Sequence, residues 1–261
     1  VEEHQHRRSP LLITAAVLVF FYLPMGLLVM NSFNASRYGT KWQGFTWQWY
    51  ETLFQRGDLW QALQHSLGVA LVSSVVAMVL GTAAAFALHR FHSRWQQAHG
   101  MLLTLPLILP EVLIGMSLLS LFVAVKIPLG LVTVTIAHIT FSVGYVAMVV
   151  RARLQDFDAS VMDAARDLGA SHGQAVRHVL LPLLAPGILA GGLLAFTVSI
   201  DDFVVTFFVS GPGTDTLPLR ISGMIRHSKE LPVINALSTL LMLVTVAIIA
   251  TAQHLSGRRA R

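Results

Sequence analysis

SVMDAARDLGASHGQAVRHVLLP, residues 160–182, carries the start and stop signals of two short helices. Ser160 stands three residues before Asp163, a spacing typical of a capping box, in which the serine oxygen accepts a backbone N–H at the start of a helix. Gly169 predicts the end of this first helix, because glycine adopts the left-handed conformation that closes helices.

A second helix is predicted directly after the first. Ser171 and Gln174 repeat the capping pattern, and Pro182 is expected to break the helix that they start. Residues 160–182 therefore predict a short helix-turn-helix. On the pattern alone, a hairpin that lies on the membrane surface without a partner remains the alternative.

The composition places this hairpin in a membrane protein. Of the 261 residues, 54% are hydrophobic and 12% are charged, whereas about 25% of a soluble domain is charged. The mean hydropathy is +0.65, and the apolar residues fall in blocks of about 20, the length that a helix needs to cross a bilayer. We expect an all-α integral membrane protein with a single transmembrane domain, residues 1–261. Its six predicted spans cover about 10–32, 66–88, 101–125, 131–150, 185–208 and 232–252, and a loop of about 152–184 joins the fourth span to the fifth.

The basic residues predict the orientation of the chain. With six spans, 11 of the 18 Lys and Arg fall on the side of the two termini, which favours cytoplasmic termini and a cytoplasmic loop at 152–184. The basic residues lie in short loops that flank the apolar segments, so the pI near 10.1 reflects membrane orientation and predicts no nucleic-acid partner.

Several classes of chemistry are excluded by the sequence. With no cysteine, the chain has no disulfide, thiolate metal site or cysteine nucleophile. It contains neither a G-x-x-x-x-G-K-[ST] phosphate loop nor an H-E-x-x-H metal pair. We therefore expect no enzyme, no metal site and no cofactor in this chain, and any ATP hydrolysis must be supplied by another subunit.

Three acidic residues predict a route for a cation. Of the 13 Asp and Glu, only Glu111, Asp201 and Asp202 fall within the predicted spans, where an unpaired charge is costly and usually faces a cavity or a partner. Glu111 is expected near the middle of the membrane, and the two aspartates in its outer half. For the aspartates, a contact with a partner subunit or a capped helix break is the alternative.

Aromatic residues near these acids are candidates for the walls of the route. Phe203, Phe141 and Tyr145 offer faces for cation–π contacts, although aromatics at helical spacing more often serve ordinary packing. His138, inside the fourth span, is expected to be a satisfied interhelical hydrogen-bond donor, with a path-lining role as the alternative.

Glycines in the fifth span predict a close helix contact. Gly187 and Gly191 form a G-x-x-x-G pair, with Gly192 beside it. We expect this surface to press against a neighbouring subunit.

The hairpin also resembles a known motif. Its residues fit the spacing of the EAA loop of ABC importer permeases, EAA-x3-G-x9-I-x-L-P, with aspartate in place of glutamate and valine in place of isoleucine. The matching residues are Asp163, Ala164, Ala165, Gly169, Val179, Leu181 and Pro182. In that family the loop forms a coupling helix that docks on the ATP-hydrolysing subunit. The resemblance implies this role for Asp163, Ala164, Ala165, Asp167, Leu168, Gly169, Ala170 and Ser171.

The resemblance extends over nearly the whole chain and is strongest from about 101 to 240. Segments similar to the smaller, second type of spermidine/putrescine permease subunit include Pro110–Gly115, His138–Phe141, Asp163–Ser171, Ser199–Asp202 and Leu217–Leu219. The resemblance implies an ATP-driven polyamine importer of a bacterial inner membrane. Its other parts would be a second permease, a dimer of ATPases that binds ATP and Mg²⁺, and an external polyamine-binding protein.

Two alternatives stay open at this point. One is a permease of the same architecture for another solute. An anion route would be expected to bury Arg or Lys, and none lies well inside a predicted span. The other is a channel, secondary transporter or membrane enzyme that needs no ATPase.

Overall fold

The computed structural model describes residues 8–38, 41–91, 94–158, 160–226 and 231–259. These residues are predominantly helical, and their one backbone bridge outside the helices joins Asn34 and Phe45. The helices are α1 (Arg8–Ser32), α2 (Gln48–Gln55), α3 (Gly57–Arg90), α4 (Gln96–Ile108), α5 (Glu111–Ala124), α6 (Leu131–Gln155), α7 (Ser160–Asp167), α8 (His172–Ala175), α9 (Leu181–Asp201), α10 (Val204–Val209), α11 (Leu217–Ile225) and α12 (Leu231–Arg259).

The chain divides into two units. One comprises residues 1–59 and 221–261, where α12 packs on α1 and α2. The other comprises residues 60–220, where α6 is the central helix and packs against α4, α9 and α10. The second unit contains every residue predicted to line a route or to form the hairpin.

The described helices support four or five of the six predicted spans. Four are long and apolar enough to cross a membrane: Ile13–Ser32, Gly57–Arg90, Leu131–Gln155 and the continuous stretch His172–Asp201. The pair α4 and α5 makes a fifth if it is counted as one bent span. The apolar part of α12, Leu231–Ala247, is shorter than the ~20 residues of a typical span.

The predicted third span is broken in the middle. Helices α4 and α5 meet at 107°, and Leu109 between them is extended with ψ 141°. The cause is Pro110, which disfavours the helical conformation of the residue before it. Glu111 therefore begins a helix instead of lying inside one, contrary to the prediction.

The predicted break at Pro182 is absent. A five-residue π-helix, Val176–Leu180, joins α8 to α9, and the Leu181 N–H donates to Val176 O five residues earlier. Pro182 follows this π-helix directly, as the second residue of α9. The helical path instead ends at Asp201, so the predicted span 185–208 divides into α9 and α10.

Glycines allow α3, α6 and α9 to pack closely. A Cβ atom on Gly81 would lie 2.8 Å from Val146 Cβ, and one on Gly191 would lie 3.2 Å from Val146 Cα. Gly187 packs against Arg153 and Gly192 against Met78 in the same way. The glycine surface of α9 is therefore buried within this chain, and the expectation that it contacts another subunit is wrong.

Gly144 provides a test of this packing. A Cβ there would meet the backbone oxygen of Leu103 at 2.6 Å, and a backbone oxygen cannot move without shifting α4. We expect Gly144→Ala to destabilise the chain by about 1–3 kcal/mol, the usual cost of overpacking.

The measurement is the thermal unfolding midpoint of the purified chain in detergent. Gly68→Ala is the matched control, because a Cβ on Gly68 meets nothing within 4 Å and alanine favours a helix interior by up to about 1 kcal/mol. Equal midpoints for the two variants would contradict the packing described.

Candidate functional site

A cavity of about 440 Å³ lies between α4, α5, α6, α9 and α10. All six residues predicted to line a cation route line this one cavity: Glu111, Phe141, Tyr145, Asp201, Asp202 and Phe203. The remaining lining residues are Pro106, Ile114, Thr197, Val198, Val204 and Val205. The structure therefore brings together, on three helices and the break at 202–203, six residues that the sequence separates by up to 92 positions.

Glu111 is placed at the cavity by the break before it. It is the first residue of α5, where the helix dipole favours a negative charge. The residue is exposed, and its carboxylate makes no hydrogen bond or ion pair within the described part of the chain. A negative charge held in this way is free to meet a ligand.

Asp201 lies at the opposite kind of helix end. It is the last residue of α9, where the helix dipole disfavours an anion. It is also exposed, and no bond to its carboxylate occurs among the residues described. Its charge therefore contributes nothing visible to the stability of the fold.

Asp202 differs from Asp201 because its carboxylate accepts hydrogen bonds from neighbouring residues of the fold. Its side chain is 5% exposed, and Oδ2 accepts hydrogen bonds from the Thr206 N–H and the Thr206 hydroxyl, both at 2.8 Å. Oδ1 accepts a longer bond from the Val205 N–H at 3.3 Å. Asp202 is thus the capping residue of α10, which was the alternative reading of this pair.

His138 completes a buried polar chain behind Asp202. The imidazole is 1% exposed, with Nε2 at 2.9 Å from Thr206 Oγ1 and 3.3 Å from Asp202 Oδ2. Because Thr206 donates its hydroxyl proton to Asp202, its oxygen accepts from His138 Nε2–H. On the other side Nδ1 lies 2.7 Å from Ser199 Oγ. His138 is therefore a satisfied interhelical partner, as predicted, and does not line the cavity.

The aromatic walls combine packing with exposure to the cavity. Phe141 is buried, with its ring centroid 5.2 Å from that of His138. Phe203 and Tyr145 are half-buried, and Phe203 contacts Phe207 at 5.8 Å between centroids. The last two therefore keep more of their surface available to a ligand than Phe141 does.

The sequence reasoning missed the hydroxyl residues of this polar chain. Ser199 and Thr206 stand three residues before and four residues after Asp202, the spacing of side chains that meet across a helical turn. Ser73 on α3 extends the chain, with its Oγ 3.1 Å from Ser199 Oγ. The short-range spacing was visible in the sequence, whereas the contact to Ser73 was not.

The hairpin segment closes its first helix at Gly169, as predicted. Gly169 has φ +90°, its N–H donates to Arg166 O at 2.9 Å, and the Ala170 N–H donates to Ala165 O at 3.1 Å. These two bonds form the Schellman motif that satisfies the last carbonyls of a helix. Leu168, at the turn, is 90% exposed.

The two helix starts of the hairpin have different outcomes. Ser171 and Gln174 form the reciprocal capping box that the sequence predicted. At the start of α7 the Ser160 N–H was expected to donate to the Asp163 side chain. It donates instead to Asp158 Oδ1, at 2.9 Å. The hydrogen bonds from Ser160 lower the pKa of the Asp158 carboxyl below its usual value. Asp163 instead lies 3.9 Å from Arg166 at the surface.

Apolar helices of spanning length, an acidic cavity between them and an exposed capped turn define a multi-pass membrane protein of the transport class. The chain belongs to the family of binding-protein-dependent transport system inner membrane components, whose family model matches residues 77–261. It is 40% identical to the spermidine/putrescine transport system permease protein PotC of Haemophilus influenzae, over 93% of this chain and 94% of that one. It is 41% identical to the putrescine transport system permease protein PotI of Escherichia coli K12, over 90% and 86%.

A solved structure has the same fold. A bacterial ABC transporter involved in the import of the acidic polysaccharide alginate matches with a TM-score of 0.77, over 97% of this chain and 97% of that chain. The identity of 12% means that this likeness concerns the fold alone.

The separate positions of the two aspartates give a stability test. Asp202→Ala removes the cap of α10 and leaves buried Thr206 and His138 short of a partner, so we expect a loss of about 1–3 kcal/mol. Asp201→Ala should change the free energy of unfolding by less than about 0.5 kcal/mol, because the side chain is exposed.

Both variants are measured by thermal unfolding of the purified chain in detergent, beside the unaltered protein. An Asp202→Ala midpoint as high as that of Asp201→Ala would refute the capping role.

Proposed function

We propose that this chain is a permease subunit of an ATP-driven ABC importer and that it forms, with a second permease, the path for polyamines such as spermidine and putrescine. Two relatives that it matches over most of their length are named for these substrates. The absence of a phosphate loop in the sequence is consistent with ATP and Mg²⁺ being bound by separate ATPase subunits.

The observation that carries the proposal is the pair of unengaged acids at one cavity. A polyamine consists of protonated amines separated by apolar methylene chains, so its path needs spaced carboxylates with apolar or aromatic walls between them. Glu111 and Asp201 supply the carboxylates from two different helices. Tyr145 and Phe203 supply aromatic faces for an ammonium group or its methylene neighbours.

The two aspartates do different work in this proposal. Asp201 contacts the passing ammonium group, because its carboxylate has no other engagement among the described residues. Asp202 holds the start of α10 in place and so shapes the cavity wall. Phe141 acts in the same supporting way, packed against His138.

The proposed topology has six spans with both termini in the cytoplasm of a bacterial cell. In it α4 and α5 together form the bent third span and α12 forms the sixth. The outer segments, residues 34–64 and 211–215, face a periplasmic polyamine-binding protein. The basic bias toward the side of the termini supports this orientation.

The hairpin is the proposed contact with the ATPase dimer. Leu168 has 90% of its surface exposed beside the Schellman turn at Gly169, so its side chain is available to a partner. The contact comprises Leu168 and its neighbours Asp163, Ala164, Ala165, Asp167, Gly169, Ala170 and Ser171.

Uptake measurements test the cavity. Asp201→Asn and Glu111→Gln keep shape and remove charge, so we expect each to lower polyamine uptake about tenfold or more, the effect of losing a hydrogen bond to a charged group. The measurement is radiolabelled polyamine uptake into proteoliposomes that contain the importer with its neighbouring subunits, normalised to assembled complex.

Asp156→Asn is the matched control, since Asp156 is an exposed acid at the end of α6, outside the cavity and outside the proposed contacts with other subunits, and it should leave uptake unchanged. Uptake at the unaltered rate by the Asp201→Asn, Glu111→Gln double variant would refute the acidic path. Loss of assembly instead of transport would show that the acids are subunit contacts.

The left-handed turn tests the coupling contact. Gly169→Val places a β-branched side chain at φ +90°, which opens the Schellman turn, so we expect the ATPase to be lost during co-purification. Gly169→Asn should retain it, because asparagine tolerates positive φ far better than valine.

A steric clash would not explain a difference between the valine and asparagine variants, since a Cβ at Gly169 meets nothing within 4 Å. Full retention of the ATPase and of uptake in Gly169→Val would show that the turn is not part of the docking surface.

A further inference from the structure

Two further cavities lie toward the start of α4 and the end of α6. Their linings differ chemically from that of the acidic cavity. An apolar slot of about 230 Å³ is formed by the end of α3 with α4 and α6. A wider mouth of about 770 Å³ adjoins it and shares Gly100, Thr104 and Arg151 with the slot. The slot and the mouth together form one amphipathic site.

The walls of the slot suit a hydrocarbon chain. Ala85 and Leu88 line it from α3, Leu103 from α4, and Ala147 and Met148 from α6. Its polar lining is concentrated toward the end of α6, at Arg151 and Gln155. A ligand that fills it must therefore be apolar along most of its length.

The mouth suits an anion. Its lining contains Arg94 and Arg151 together with the amides Gln96 and Gln97, and none of the described residues that line the slot or the mouth is acidic. Neither arginine forms an ion pair within the described part of the chain. The Arg151 guanidinium lies where slot and mouth meet, because a Cβ on Gly100 would be 3.6 Å from Arg151 Nη1.

The surroundings place this mouth at the depth of lipid headgroups. Trp95 and Phe91, which flank it in sequence, are 62% and 68% exposed. Tryptophan with adjacent arginine is typical of the interface between hydrocarbon and water. A polyamine is disfavoured here, since two arginines without a compensating acid repel a cation.

We propose that this site binds an anionic phospholipid of the cytoplasmic leaflet, with one acyl chain in the slot and its phosphate between Arg94 and Arg151. Basic pockets between helices on the cytoplasmic side are suited to such headgroups. The site's place in that leaflet rests on the orientation proposed above. The test measures lipid binding and not transport, so the two proposals can fail separately.

The test uses the absence of cysteine in the chain. Met101→Cys, at the 67% exposed Met101 of the mouth, is labelled with bimane, and the importer is reconstituted in phosphatidylcholine vesicles. Brominated phosphatidylglycerol or brominated phosphatidylcholine is then titrated as a quencher. We expect the anionic lipid to quench at several-fold lower mole fraction than the zwitterionic one. The same label at Leu193→Cys on α9, 68% exposed and outside the site, should show no such preference.

Charge variants test whether the two arginines of the mouth bind the headgroup. Arg151→Gln and Arg94→Gln should each reduce the preference for phosphatidylglycerol about fivefold, the effect of one basic residue near an anionic membrane. Arg177→Gln, an exposed arginine outside the site, should leave the preference intact.

Three outcomes would overturn the proposal. Equal quenching by the two lipids would mean that the arginines do not recognise a headgroup. Displacement by millimolar glycerol phosphate would identify a site for soluble phosphate compounds. Protection of the label from both lipids in the assembled importer would show that a partner subunit covers the mouth.

Discussion

Backbone N–H and C=O groups within a bilayer have no water to bond, so every interruption of a helix there must be satisfied by the protein itself. The second unit has helix interruptions at Leu109–Pro110 and at Asp202–Phe203, and Glu111, directly after the first, lines the same cavity as Asp202 and Phe203. At the first, Pro110 has no N–H that needs a partner, and its carbonyl accepts the N–H groups of Leu113 and Ile114. The second requires the Asp202 carboxylate, which in turn is held by Thr206 and His138. The shape of the cavity depends on this carboxylate.

Asp201 and Asp202 have identical side chains, but their surroundings give the two carboxylates different contacts. Asp202 leaves the helical path with ψ 124° and turns inward to cap α10, while Asp201 remains on the last turn of α9 and faces the cavity. The first carboxylate has its acceptor capacity largely used, whereas the second is unbound among the described residues. The difference comes from the backbone alone, since the two residues are adjacent and chemically identical.

Local signals in the sequence predicted local structure well, and long-range packing poorly. Gly169 and the Ser171–Gln174 box act over a single turn, so their pattern sufficed. The rarity of acidic residues in the predicted membrane spans likewise singled out the three acids that line the cavity. The failures concern competing partners. Pro182 follows a π-helix that no sequence motif predicts, and the α9 glycines 187, 191 and 192 pack against Arg153, Val146 and Met78 of their own chain. Which of several surfaces a glycine stripe meets is decided by the fold as a whole.

The polar chain around His138 also has a consequence for synthesis and insertion. Its partners Ser199 and Thr206 follow it by 61 and 68 residues. At a translation rate of about 5–20 residues per second, α6 waits roughly 3–14 s before Thr206 is made. During that interval a nascent chain in the membrane carries an imidazole without its final hydrogen bonds. A chain truncated before α10 would keep Ser199 but lack Thr206, and would leave His138 Nε2 permanently without this partner.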